Sequence, residues 1–130
     1  MVPKIFALDP TASHFESNVY KGFESLSKTD AEYVQVVHTN AGILGLQNAV
    51  GTADFFPNGG IRQPGCENDP LDENICSHIR SWEIFQSAII DPNGFPGVKC
   101  ASYDDFMNQG NGGNCQTEDS TYLGHSGSPK

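Results

Sequence analysis

Short apolar runs alternate with polar loops along this chain and predict a set of β-strands. Residues 5–8 are continuously apolar and end at Asp9, as expected of a strand buried on both faces of a parallel sheet. Residues 33–37 are rich in β-branched and aromatic side chains, which favours a second strand. Residues 54–60 begin as a third, short strand and close with a Pro-Asn-Gly-Gly turn signal.

One segment has the periodicity of an amphipathic helix. Residues 76–90 place apolar side chains at helical spacing, and Asp91 begins a stop signal that contains Pro and Gly. Ser77 is the predicted N-cap of this helix. From Gly110 onward the chain is rich in Gly, Asn and Ser, which predicts loop or weakly ordered structure. The order strand, loop, strand, loop, helix is typical of the C-terminal part of an α/β fold.

Composition changes this picture mainly by exclusion. At 130 residues the chain forms one small domain at most, and 7 basic against 16 acidic residues give a formal net charge of −9. That charge argues against nucleic acid as a partner and against strong electrostatic attraction to anionic lipid. The sequence has no apolar run long enough for a transmembrane segment, and it shows no signal peptide.

Cysteine content favours an oxidising compartment over the cytosol. Four cysteines occur in this short chain: Cys66, Cys76, Cys100 and Cys115. Their spacing lacks the C-x2-C pairs of a zinc site, and the alternative to disulfides is four unpaired, buried thiols. We therefore expect disulfide bonds and a secreted, extracellular protein.

Two polar residues next to predicted elements have the chemistry of an acyl-transfer site. Asp9 follows the first strand, at the edge where an open parallel sheet presents its functional groups. His78 lies near the start of the predicted helix. In a Ser-Asp-His triad the carboxylate orients the imidazole, and the imidazole accepts the proton of the serine nucleophile. Local sequence alone also fits an Asp-Pro turn at Asp9 and a capping or surface role for His78.

Short motifs follow one another in a fixed order along almost the whole chain. They are Leu8-Asp9-Pro10, Val37-His38-Thr39, the Asp-Phe-Phe-Pro-Asn-Gly-Gly of residues 54–60, Pro64-Gly65-Cys66, the Cys-Ser-His-Ile-Arg-Ser of residues 76–81, Cys100-Ala101-Ser102-Tyr103 and Leu123-Gly124-His125. In order and spacing this series resembles the secreted pancreatic-type lipases, a family of triacylglycerol lipases, phospholipases A1 and the non-catalytic yolk proteins of flies. By this resemblance Asp9 matches the triad aspartate and His78 the triad histidine.

The resemblance implies an α/β fold, the C-terminal portion of an α/β-hydrolase (lipase) domain with an incomplete sheet. Residues 1–130 would be a partial catalytic domain without its nucleophile-bearing N-terminal half, and inactive alone because the serine lies upstream. Ser126 stands in a near match to the G-x-S-x-G elbow, but the last position departs from that pattern and no strand precedes it. No organic cofactor is implied.

The resemblance also assigns Cys66 and Cys76 to the disulfide that closes the lid loop, residues 66–76; we expect Cys100 to pair with Cys115. The lid segment, residues 67–75, has nine residues, of which four are acidic and two aliphatic. A long amphipathic lid covers an apolar groove and opens at a lipid surface, for which this segment is too short and too polar. Its character favours the phospholipase A1 branch over the triacylglycerol lipases.

We expect no bound metal. The segment that matches the calcium site of the family keeps Asp30, but the second acidic position is Ser27 here, and calcium needs several hard oxygen ligands. The remaining histidines, His14, His38 and His125, offer no pair with the helical spacing of zinc ligands. His38 follows a strand and is assigned a structural role.

Three interpretations follow from the sequence. The first is a fragment of a secreted carboxylic ester hydrolase of lipid catabolism, a phospholipase A1 or lipase, that acts on phospholipid or acylglycerol and contacts a lipid surface peripherally. The second is a non-catalytic binding or storage protein on the lipase fold, like the yolk proteins, against which the presence of both Asp9 and His78 counts. The third, a small secreted module stapled by disulfides, would require the motif series to be coincidental.

Overall fold

The computed structural model describes residues 1–12, 25–109 and 111–124. The chain divides into two compact units, Met1–Phe85 and Gln86–Lys130, each of which is described by itself. His14, His125 and Ser126, which the sequence analysis considered, lie outside the described residues.

A parallel sheet of three strands organises the first unit. Its strands lie in the order β1-β2-β3 and are β1 (Val2–Leu8), β2 (Ala31–Val37) and β3 (Ala53–Phe55). The strands predicted from the sequence are therefore confirmed. Leu8 lies opposite Val37, and Val37 opposite Phe55. The carboxyl ends of all three strands therefore lie side by side at the same end of the sheet. The residues that follow these strands become neighbours although they are distant in sequence.

The core of the first unit lies on β2, the central strand of this sheet. Val34 and Val36 are completely buried, and partly buried apolar side chains pack against them. These are Ile5, Ala7, Leu26 and Val50. β1 is only half-buried and lies at the edge of the sheet. Residues 5–8 are only partly buried, so the prediction that they are buried on both faces is wrong for this structure.

The predicted helix is present, but it begins earlier than its periodicity indicated. Helix α1 comprises Glu73–Ile90, and Asp72 supplies its N-terminal cap. One carboxylate oxygen of Asp72 accepts hydrogen bonds from the backbone N–H groups of Asn74, at 2.6 Å, and Ile75, at 3.2 Å. The assignment of Ser77 as N-cap is wrong. Ser77 lies inside the helix, where its buried hydroxyl accepts a hydrogen bond from the Gln63 N–H at 3.0 Å.

Several large apolar side chains of α1 face solvent, whereas two of its serines are buried. Ile75, Ile79 and Trp82 are 46%, 41% and 50% exposed, while Ser77 and Ser81 are almost fully buried. Both buried hydroxyls have backbone partners, since Ser77 Oγ accepts from the Gln63 N–H and Ser81 Oγ donates to the His78 carbonyl at 2.8 Å. Across the described ranges, no helix combines the length and apolarity needed to cross a bilayer.

The second unit contains a strand pair that the sequence did not predict. β4 (Pro96–Cys100) pairs in antiparallel fashion with β5 (Cys115–Tyr122), and the short helix α2 (Tyr103–Met107) connects them. A disulfide joins Cys100 to Cys115, which face each other in the strand pair. The expectation of loop or weakly ordered structure from Gly110 onward is therefore wrong for β5. Pairing with β4 gives its polar sequence backbone partners that local composition does not reveal.

We expect Asp72→Ala to lower the free energy of unfolding by about 1 kcal/mol, because it leaves two backbone N–H groups at the start of α1 without their acceptor. Equilibrium urea denaturation measures this. Asp72→Asn is the matched control, since asparagine caps helices about as well as aspartate and should retain most of the stability. Equal losses in the two variants would contradict a capping role.

Candidate active site

Asp9 and His78 are in direct contact although 69 residues separate them in sequence. His78 Nδ1 lies 2.6 Å from Asp9 Oδ2. Asp9 is 1% exposed, whereas 31% of the His78 side chain is accessible to solvent. A carboxylate oxygen accepts hydrogen bonds, so the Nδ1–H group of His78 donates a hydrogen bond to Asp9. Nε2 is the ring nitrogen that this bond leaves available.

Two backbone amides hold the other oxygen of the Asp9 carboxylate. Oδ1 accepts hydrogen bonds from the N–H groups of Thr39, at 2.9 Å, and Asn40, at 3.1 Å. Both amides belong to the loop that follows β2. A buried carboxylate needs such donors because it has lost its hydrating water. The loop therefore fixes the carboxylate in position and stabilises its charge.

The backbone at Asp9 turns sharply at the end of β1. Its φ angle is +45°, in the left-handed region, which costs about 1–2 kcal/mol for a residue with a side chain. Aspartate tolerates this region better than most residues, because its side chain hydrogen bonds to nearby backbone. The Asp9 N–H donates to the Val37 carbonyl at 2.7 Å, which ties the turn to the end of β2. An Asp-Pro turn and a carboxylate bound to His78 thus coexist at this position.

Gly45 packs against the Asp9 carboxylate. A Cβ atom built on Gly45 would lie only 2.6 Å from Asp9 Cγ, so no larger residue fits without displacing the carboxylate. This role of Gly45 has no signal in the sequence, because nothing in the local sequence indicates which glycine of this segment approaches a side chain from a distant strand.

The backbone of α1 orients His78. The His78 carbonyl accepts hydrogen bonds from Ser81 Oγ, at 2.8 Å, and from Thr39 Oγ1, at 3.4 Å. Among the described residues, none hydrogen bonds to Nε2 of His78. The ring is therefore held through Nδ1.

A disulfide fastens the start of α1 to the preceding loop. Cys66 and Cys76 are bonded, with their Cα atoms 5.6 Å apart, so the pairs expected from the sequence are those found in the structure. The last residues of the lid segment, 73–75, belong to α1 and not to a loop. Leu71 at its tip is 86% exposed.

The region matched to a calcium site forms a small turn. Asp30 Oδ2 accepts a hydrogen bond from the Ser27 N–H at 2.8 Å, and the hydroxyls of Ser27 and Thr29 lie 2.7 Å apart. Within the described part of the chain, no three His, Cys, Asp or Glu residues are grouped so that they could hold a metal ion. The expectation of no bound metal stays a prediction.

We expect Gly45→Ala to lower the free energy of unfolding by about 1–3 kcal/mol, as overpacking of a buried site does, and to displace Asp9 from His78. Urea denaturation measures the stability, and the downfield proton NMR signal of His78 Nδ1–H reports the bond to Asp9.

Gly113→Ala is the matched control, because its Cβ would lie 2.9 Å from the Asn108 carbonyl oxygen, in the second unit. It should lower stability but leave the His78 signal in place. Wild-type stability together with an unchanged signal in Gly45→Ala would show that the site tolerates a larger residue.

Comparison with known proteins shows the family of this chain. The family model described as Lipase matches residues 1–129. The pancreatic triacylglycerol lipase of Mus musculus is 34% identical over 78% of this chain and 26% of its own length. Pancreatic lipase-related protein 2 of Bos taurus is 36% identical over 84% and 27%, and inactive pancreatic lipase-related protein 1 of Mus musculus is 35% identical over 79% and 26%. The chain spans about a quarter of the length of these relatives. It belongs to the lipase family.

Proposed function

We propose that this chain carries the Asp-His part of the catalytic triad of a secreted carboxylic ester hydrolase of lipid catabolism. The observation that carries the proposal is the contact of 2.6 Å between buried Asp9 and half-exposed His78. Membership of the lipase family supports it. The two disulfides are consistent with an extracellular protein.

In this mechanism the complete protein supplies a serine from outside residues 1–130. His78 Nε2 accepts the serine proton as the hydroxyl attacks the ester carbonyl, and it later donates a proton to the leaving alcohol. Asp9 keeps Nδ1 protonated and stabilises the imidazolium that forms. The amides of Thr39 and Asn40 keep the Asp9 carboxylate in position while the charge on the imidazole changes.

We further propose that residues 1–130 are the C-terminal portion of an α/β-hydrolase domain. Two observations support this proposal. The strand β1 lies at the lateral edge of the parallel sheet and is only partly buried, which is consistent with further strands beside it. The relatives are also about four times as long as this chain. Asp9 directly after β1 fits the rule that such sheets present functional groups at the carboxyl ends of their strands. Because the nucleophile lies elsewhere, residues 1–130 alone should not hydrolyse esters.

The proposed substrate is a phospholipid or acylglycerol, with phospholipid favoured. The lid segment between Cys66 and Cys76 is short, acidic and largely exposed, so it offers little apolar surface with which to cover a groove. Ile75, Ile79 and Trp82 are exposed on the same helix as His78 and supply apolar area for peripheral contact with a lipid surface.

In the complete protein, His78→Ala should lower kcat by several orders of magnitude with little change in KM, because the nucleophile loses its base but the substrate keeps its contacts. Asp9→Asn should lower kcat about 10⁴-fold, since an amide no longer selects the required tautomer. The double variant should lose little more than either single variant, because the two groups act as one unit. Turnover of a soluble nitrophenyl ester measures these effects.

The control for the triad variants is Asp104→Asn, an exposed carboxylate in α2 that should leave kcat and KM unchanged. Wild-type turnover in both triad variants would refute the triad assignment. A complete wild-type protein that hydrolyses no ester would instead indicate a non-catalytic member of the family, and one relative is itself named inactive.

The short lid predicts the substrate preference of the complete enzyme. Phosphatidylcholine should be cleaved at its sn-1 ester, with little increase in rate as the substrate passes from monomers to aggregates, because no large lid has to open. Titration of released fatty acid across the critical micelle concentration tests this. Faster cleavage of triolein than of phosphatidylcholine, with a sharp rate increase at the interface, would refute the phospholipase preference and leave the lipase assignment intact.

A further inference from the structure

A second histidine–aspartate pair consists of His38, directly after β2, and Asp54, in β3. It takes no part in the proposed chemistry of Asp9 and His78. His38, the residue after β2, is completely buried, and its Nε2 lies 2.8 Å from Asp54 Oδ1. Its Nδ1 lies 3.0 Å from the carbonyl oxygen of Leu46. The ring stacks on Phe56, with centroids 4.3 Å apart and planes inclined by 3°. Both ring nitrogens therefore have fixed partners.

Backbone groups fix the position of this pair. A carbonyl oxygen only accepts hydrogen bonds, so Nδ1 of His38 is the donor in the bond to Leu46. The Asp54 carboxylate also accepts hydrogen bonds from the N–H groups of Val50 and Gly51, each at 3.0 Å. Asp54 is therefore held by backbone amides as well as by the His38 ring.

His38 connects the two ends of the loop that surrounds Asp9, residues 39–46. At one end, His38 is bonded covalently to Thr39, whose N–H holds Asp9 Oδ1. At the other end, Nδ1 of His38 donates a hydrogen bond to the carbonyl oxygen of Leu46. The N–H group of Leu46 in turn donates to the Pro10 carbonyl at 2.7 Å. Gly45, next to Leu46, packs on the Asp9 carboxylate. Loss of the bond between His38 and Leu46 would therefore release the Gly45 side of the loop from the Thr39 side, and both sides contact Asp9.

We propose that His38 is a positioning residue for the reaction: through its bond to Leu46 it fixes the loop that holds Asp9 against His78. The proposal rests on the proposed function, because Asp9 matters to turnover only if it orients His78. A solely structural role would affect stability, whereas a positioning role also affects the bond between Asp9 and His78.

Two substitutions separate the bonds that His38 makes. The amide nitrogen of asparagine occupies about the place of Nδ1, so His38→Asn retains a donor for Leu46 but loses the bond to Asp54. The amide nitrogen of glutamine occupies about the place of Nε2, so His38→Gln retains a donor for Asp54 but loses the bond to Leu46. The proposal assigns the control of Asp9 to the Leu46 bond, so His38→Gln should be the more damaging of the two.

The experiment uses the complete protein with ¹⁵N-labelled histidine rings at neutral pH. In the wild type, His78 Nδ1–H should give a downfield proton signal. His38→Gln should abolish or broaden the His78 signal and lower kcat about 100-fold, as a misplacement near 1 Å does, with KM nearly unchanged. His38→Asn should retain the signal and most of kcat.

Val36→Ala controls for stability, because it removes a buried side chain of β2 without a hydrogen bond to the loop. It should lower the unfolding midpoint and leave the His78 signal and kcat unchanged. A folded His38→Gln with the wild-type His78 signal would refute the positioning role. If that variant does not fold, loss of the signal in a folded His38→Asn refutes the proposal. These NMR readouts require no turnover, so their failure is distinguishable from a failure of the proposed ester hydrolysis.

Discussion

The buried negative charge of Asp9 is the constraint on which the rest of the site depends. An isolated carboxylate in a protein interior costs several kcal/mol unless its oxygens are hydrogen bonded. Here each oxygen has a donor: the amides of Thr39 and Asn40 bond to Oδ1, and His78 bonds to Oδ2. One carboxylate therefore requires partners from three places: the end of β1, the loop after β2 and helix α1, whose His78 is 69 residues away in sequence.

The parallel sheet supplies this convergence. Because β1 and β2 are parallel and Leu8 lies opposite Val37, the turn at Asp9 and the loop after Val37 begin next to each other, at the carboxyl ends of the two strands. The Asp9 N–H bonds to the Val37 carbonyl, and the absence of a side chain at Gly45 lets the loop close over the carboxylate. A shift of register would move the donors away from the charge, so the pairing of the strands and the geometry of the site are set together.

Polar contacts of helix α1 hold His78 in place. Ser77 and Ser81 are buried, and their hydroxyls bond to backbone groups, while Ile79 and Trp82 are exposed. The hydrogen bonds to the His78 carbonyl and the disulfide at Cys76 fix this part of the helix.

Much of this molecule could be predicted from its sequence, because local chemistry determined it. The apolar runs predicted all three strands of the parallel sheet, the helical period predicted α1, and the motif series predicted the lipase family and identified Asp9 and His78 as residues of interest. Those signals depend on spacing along the chain.

Tertiary structure decided what depends on partners distant in sequence. The strand β5 forms against β4 despite its polar sequence, and α1 begins at an Asp72 cap ahead of its apolar period. Neither the close approach of Gly45 to Asp9 nor the bonds of His38 to Leu46 and Asp54 leave a local signal. The sequence determined which polar groups are present. Only the folded chain decided which of them bond to one another, because hydrogen bonds act over a few ångströms in space and not along the chain.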